Sequence, residues 1–116
     1  TKNATVFIVD DDEAVRQSTA WLIESIGIKV RTFISADEFL EQYNNEQGCI
    51  VMDVRMPGMS GIEAQDEMSS RDIKLPLIFI TGHGDVPMAV RALKKGAFDF
   101  IEKPFNDQLL LDSIQR

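Results

Sequence analysis

Five short apolar runs alternate with five amphipathic stretches along this chain, and that rhythm leaves few folds open. The runs are Thr5–Val9, Lys29–Phe33, Cys49–Met52, Leu77–Ile80 and Phe98–Ile101. They are rich in Val, Ile and Phe, and several are apolar at consecutive positions. A strand with one wet face alternates apolar and polar residues, whereas a strand buried on both faces in a parallel sheet does not. The runs therefore predict buried parallel strands.

The stretches between them predict helices. Glu13–Ile26 carries Val15, Leu22 and Ile26 near one face. Ser35-Ala36-Asp37-Glu38 fits a capping box, followed by Phe39, Leu40 and Tyr43; Ser60-Gly61-Ile62-Glu63 fits a second. Asp85 is placed to cap a fourth helix, with Pro87 tolerated in its first turn, and Asn106 or Asp107 a fifth. Gly27 and Gly96 follow the first and fourth helices, as C-terminal glycines do. With 116 residues, five β-α units predict a single doubly wound parallel sheet flanked by helices on both faces. A barrel of eight such units needs about twice the chain.

Composition removes several function classes. No apolar run approaches the roughly 18 residues of a membrane span, which makes the cytoplasm the expected compartment. The net charge of −7 disfavours nucleic-acid contact by this domain itself. One Cys and one His cannot build a zinc site, and Cys49, inside an apolar run, reads as an inert buried thiol. The chain lacks an initiator Met and stops at Arg116 within a helical pattern, so we expect that a C-terminal output domain has been removed.

Ligands of doubly wound sheets bind beyond the carboxyl ends of the strands. The residues there are Asp10-Asp11-Asp12 after the first strand, Asp53 after the third, Thr81 after the fourth and Lys103 after the fifth. Crowded carboxylates raise one another's pKa and stay ionised cheaply only around a cation. Mg²⁺ suits such a set, because it takes one or two carboxylates, keeps waters and accepts phosphate oxygens. A carboxylate can attack phosphorus to give an aspartyl phosphate. Lys103 would counter the phosphoryl charge, and Thr81 would offer it a hydroxyl. The set describes Mg²⁺-assisted phosphoryl transfer to a side chain. Each member alone has an ordinary reading as a turn residue, cap or exposed dipeptide, and Asp12 reads as a helix cap. The force of the pattern is that each sits at the end of its own strand.

Val9-Asp10-Asp11, Met52-Asp53-Val54-Arg55-Met56-Pro57-Gly58-Met59-Ser60-Gly61, Ile80-Thr81-Gly82 and Lys103-Pro104 together resemble the response-regulator receiver domain of two-component systems. The resemblance runs from about Thr5 to about Ile114. Val86-Pro87-Met88-Ala89-Val90 after Gly82-His83-Gly84-Asp85 is similar to the FixJ subgroup of transcriptional regulators. The resemblance implies a CheY-like sheet of order 2-1-3-4-5. It implies Asp53 as phosphoacceptor for a sensor histidine kinase, and Asp10, Asp11, Asp53 and the Arg55 carbonyl as ligands of Mg²⁺, with Mn²⁺ able to substitute. It implies Thr81 and Lys103 as the switch hydroxyl and phosphate-binding lysine, and Phe100 as the aromatic switch, where a plain core phenylalanine is the other reading. Further implications are a cis bond before Pro104 and a homodimer through the face of helix 4, strand 5 and helix 5. DNA would be met only through a C-terminal helix-turn-helix domain. Such a protein assists its own phosphorylation and dephosphorylation and is not a conventional turnover enzyme.

Three rival readings fare worse. A haloacid-dehalogenase-type phosphatase needs Asp two residues after the nucleophile, and position 55 is Arg. A receiver that only docks typically loses part of the acidic set or the lysine, and here all are present. A nucleotide-binding fold lacks its Gly-rich turn after the first strand. His83 reads as a solvated loop residue. Trp21 reads as packing or as a surface that meets a partner.

Overall fold

A computed structural model describes residues 4–82, 85–103 and 106–115. The elements run β1 (Thr5–Val9), α1 (Glu13–Glu24), β2 (Lys29–Phe33), α2 (Ala36–Gln42), β3 (Gly48–Asp53), α3 (Gly61–Ser70), β4 (Leu77–Thr81), α4 (Val86–Lys94), β5 (Asp99–Glu102) and α5 (Asp107–Gln115). The five strands form one parallel sheet of order β2-β1-β3-β4-β5. This is the doubly wound, CheY-like arrangement that the alternating runs and the family resemblance imply.

The apolar residues of each central strand divide between two cores because side chains alternate across a sheet. Phe7, Val9, Ile50, Met52, Leu77 and Phe79 face one core with Phe39 of α2, Ala64 and Met68 of α3 and Ala92 of α4. Val6, Ile8, Cys49, Val51, Ile78 and Ile80 face the other with Ala20 and Ile23 of α1 and Leu110 and Leu111 of α5. Burial on both faces explains the unbroken apolar runs of β1, β3 and β4. The edge strand β2 buries only Phe33 fully.

Local chemistry fixes the helix starts. Asp12 accepts from the Val15 amide at α1, Ser35 from Glu38 at α2, and Asn106 from Gln108 at α5. Ser60 and Glu63 form the complete capping box of α3. The box at Ser35 is half made, because Glu38 accepts instead from the Ile34 amide. The pattern caught one face only in part. α1 buries Thr19, Ala20 and Ile23 fully, the small Thr19 and Ala20 letting the helix lie close to the sheet; of the residues read from the sequence, Leu22 packs partly buried against the same core, whereas Ile26 lies past the helix end and is exposed. Trp21 consequently points outward and is 75% exposed, which removes the packing reading. Among the described residues, no helix is long and apolar enough to cross a membrane.

Candidate functional site

Parallel pairing brings the strand ends to one rim. Val9 stands opposite Met52 and Asp53 opposite Ile80, so the chain leaves β1 and β3 side by side at Asp10 and Asp53. That point, between β1 and β3, is where the strand order reverses and where such sheets bind ligands. Thr81 ends β4 and pairs with Glu102, immediately before Lys103. The Lys103 amide donates to the Thr81 carbonyl at 2.7 Å, which fixes where the lysine leaves the sheet.

Asp10, Asp11 and Asp53 each offer a carboxylate oxygen, and these oxygens lie within 4.8 Å of one another. The Lys103 ammonium donates to Asp53 Oδ2 at 3.3 Å and stands 4.0 Å from Asp10 Oδ2. Asp53 Oδ1 accepts from the Arg55 amide at 3.1 Å. Asp10 is buried, and its Oδ1 accepts from the Asp12 amide at 2.9 Å. Its backbone carbonyl accepts from the Arg16 guanidinium at 2.8 Å. Burial pushes the Asp10 carboxyl above the ordinary carboxylate range. The Asp12 amide pulls it back, the Asp53 charge raises it again, and Lys103 and Asp11 act in opposite senses.

The donor set fits a hard divalent cation. It is all oxygen and carries more negative charge than Lys103 balances, and Asp10, held back from ionising first by its burial and then by the Asp53 charge, would gain from a cation beside it. Thr81 is fully buried at the rim, and its hydroxyl donates to the Gly82 carbonyl at 3.2 Å rather than towards a carboxylate. Phe100 is partly buried against the core that contains Phe79, its partner in the β4–β5 register. His83, Gly84 and Pro104, and with them the movable loop and the cis bond, lie outside the described residues.

One element of the site was missed from the sequence. Arg55 reaches from the loop after β3 to the start of α4. Its Nε donates to Asp85 Oδ1 at 3.0 Å and to Oδ2 at 3.2 Å, and a terminal nitrogen donates to Oδ1 at 2.7 Å. Asp85 does occupy the N-cap of α4, but its side chain makes no cap bond, because the carboxylate faces Arg55. Arg55 and Asp85 are 30 residues apart, and no periodicity joins two loops.

The model of the response regulator receiver domain matches residues 6–115. This chain belongs to the response regulator receiver family. The receiver is 50% identical over 112 residues to the transcriptional regulatory protein TdiR of Thauera aromatica, covering 96% of this chain and 49% of that protein. It is 49% identical over 111 residues to the transcriptional regulatory protein FixJ of Azorhizobium caulinodans, covering 95% and 53%. The receiver thus spans about half the length of these relatives. Among solved structures, FixJ-N superposes with a TM-score of 0.88 at 46% identity, covering 99% of the receiver and 93% of that chain.

Proposed function

We propose that this receiver takes a phosphoryl group on Asp53 from the phosphohistidine of a sensor kinase and passes the event on as a change of surface. The observation that supports this reading best is the Lys103 ammonium 3.3 Å from Asp53 Oδ2, beside a cluster of three carboxylates. An Asp53 oxygen attacks phosphorus, the phosphorus–nitrogen bond breaks, and its electron pair returns to the imidazole, which takes a proton from solvent. Lys103 neutralises charge on the phosphoryl oxygens. Asp10, Asp11, Asp53 and the Arg55 carbonyl would hold Mg²⁺, or Mn²⁺ in its place. A bound Mg²⁺ would supply positive charge to the phosphoryl oxygens and favour their in-line approach.

The phosphoryl group adds charge and acceptor oxygens beside Thr81. The Thr81 hydroxyl then leaves Gly82 and donates to it, and Phe100 turns into the space vacated beside β4. Water returns the system by hydrolysing the acyl phosphate, so the protein is a self-assisting switch rather than a turnover enzyme. TdiR and FixJ are named as transcriptional regulatory proteins, which supports a cytoplasmic pathway ending in a DNA-binding helix-turn-helix domain. Mass analysis after incubation with acetyl phosphate and Mg²⁺ tests the core of this. The wild type gains one phosphoryl group and Asp53→Asn gains none. Equal labelling of both proteins would sink the assignment, as would labelling that persists in excess chelator.

A further inference from the structure

The Arg55–Asp85 pair joins two segments that the phosphorylation reaction needs for different purposes. Arg55 lies two residues after Asp53, and its amide already donates to the Asp53 carboxylate. Its guanidinium stands over the first turn of α4, where it meets Asp85 and the Met88 sulfur. A cation at a helix N-terminus faces the positive end of the helix dipole, so the carboxylate of Asp85 is what holds it there. The Arg55 side chain is 68% exposed and has room to swing, while that of Asp85 is only 15% exposed.

A second donor is available to the Asp85 carboxylate within its own helix. It is the N-cap of α4, and its side chain makes no cap bond. Pro87, in the first turn, has no N–H to give, so the Met88 amide is the donor that a capping carboxylate would take. One carboxylate thus has two competing uses, and the structure records one of them.

Resting on the reading that Asp53 is the phosphoacceptor, we propose that Arg55 and Asp85 are positioning residues that exchange partners. A phosphoryl group on Asp53 takes the guanidinium, and the released Asp85 carboxylate turns to cap α4 through the Met88 amide. A phosphoryl group carries more charge than a carboxylate and offers three oxygens to the planar fork of an arginine, so it competes well. The exchange couples the occupied site to the start of α4 by a route separate from Thr81.

The test uses beryllofluoride with Mg²⁺ as the phosphoryl mimic. Its affinity and the Met88 amide are followed by NMR in the wild type, Asp85→Asn, Asp85→Ala, Arg55→Gln and the double variant Arg55→Gln with Asp85→Asn. Asparagine caps a helix about as well as aspartate but does not hold a guanidinium by charge. Asp85→Asn should therefore tighten the mimic by about 2- to 5-fold, on the scale of one exposed ion pair. Asp85→Ala should gain less, Arg55→Gln should weaken binding, and Asp85→Asn should have no effect once Arg55 is gone. In the wild type the mimic should slow hydrogen exchange at the Met88 amide. An unchanged or weakened Asp85→Asn, an effect that persists in the Arg55→Gln background, or an unprotected Met88 amide overturns the exchange. A wild type that binds no mimic at all and takes no label from acetyl phosphate overturns the phosphoacceptor reading, and the exchange falls with it.

Discussion

Burial and two neighbouring carboxylates lift the Asp10 carboxyl above the usual range, and the sign of that shift has a measurable effect. A carboxyl group whose folded pKa is raised favours the folded state most below its unfolded pKa, and that contribution is lost as pH rises through the folded pKa. At neutral pH, ionised Asp10 therefore destabilises the metal-free receiver. Asp10→Asn should raise metal-free stability near pH 7 by about 1 kcal/mol and should abolish the stabilisation that Mg²⁺ gives. Denaturation with and without Mg²⁺ checks both; a variant less stable than the wild type without metal contradicts it. Cys49 offers a second measurement at this scale. Burial pushes its thiol up to about 11, so the folded protein should resist alkylation at pH 8 while the denatured chain reacts fully. Rapid labelling of the native protein would contradict that. The acidic residues and Lys103 were legible in the sequence because each follows its own apolar run. The Arg55–Asp85 pair was not. Asp85 carries the signature of a helix cap, and only the fold reveals that its carboxylate faces elsewhere.

Elements differ in how firmly they begin. α3 starts against the sheet itself. A Cβ on Gly61 would lie 2.6 Å from the Phe79 ring and 2.9 Å from Val54 Cα, so only glycine lets the helix approach so near. Gly61→Ala should cost about 1–3 kcal/mol by overpacking, read as a lowered denaturation midpoint at unchanged slope. A neutral effect would mean that α3 shifts freely. Thr81→Ala tests the other side of the site: phosphorylation of Asp53 should survive while dimerisation or output weakens. Loss of phosphorylation with normal coupling in the remaining label would make Thr81 a group of the transfer step instead. The bounds of β1 and β2 were readable from their apolar runs. The inward face of α1 was legible only in part: Leu22 does pack against the core, but Thr19 and Ala20, which lie closest to the sheet, carry little hydropathy signal.

At the scale of the whole molecule, α4 and α5 carry exposed Val90 and Leu109 amid charges of both signs. Lys95 is engaged by Asp66 of α3, and Asp99 accepts from the Ser113 hydroxyl at 3.0 Å. A symmetric contact there would lean on the apolar residues with Lys94 and Asp107. Sedimentation should show a monomer turning dimeric with the beryllofluoride complex, and an unchanged monomer at high concentration would count against this face.

The seating of α3 has a mechanical consequence for such a change. Its first residue donates to the Val54 carbonyl, Val54 donates to Ile80 in the neighbouring strand, and the Ser60–Glu63 box clamps the turn between them. The loop after Asp53 is therefore pinned at both ends to the sheet, like a beam built into a wall. Among the described residues, the start of α4 is held by the Asp85 amide, which donates to the Gly82 carbonyl at 3.0 Å just past β4, and by the exposed Arg55–Asp85 pair. A push delivered at Asp53 meets a stiff support on the α3 side and a compliant one on the α4 side. Displacement concentrates where the support yields, which makes the start of α4 the expected outlet for motion.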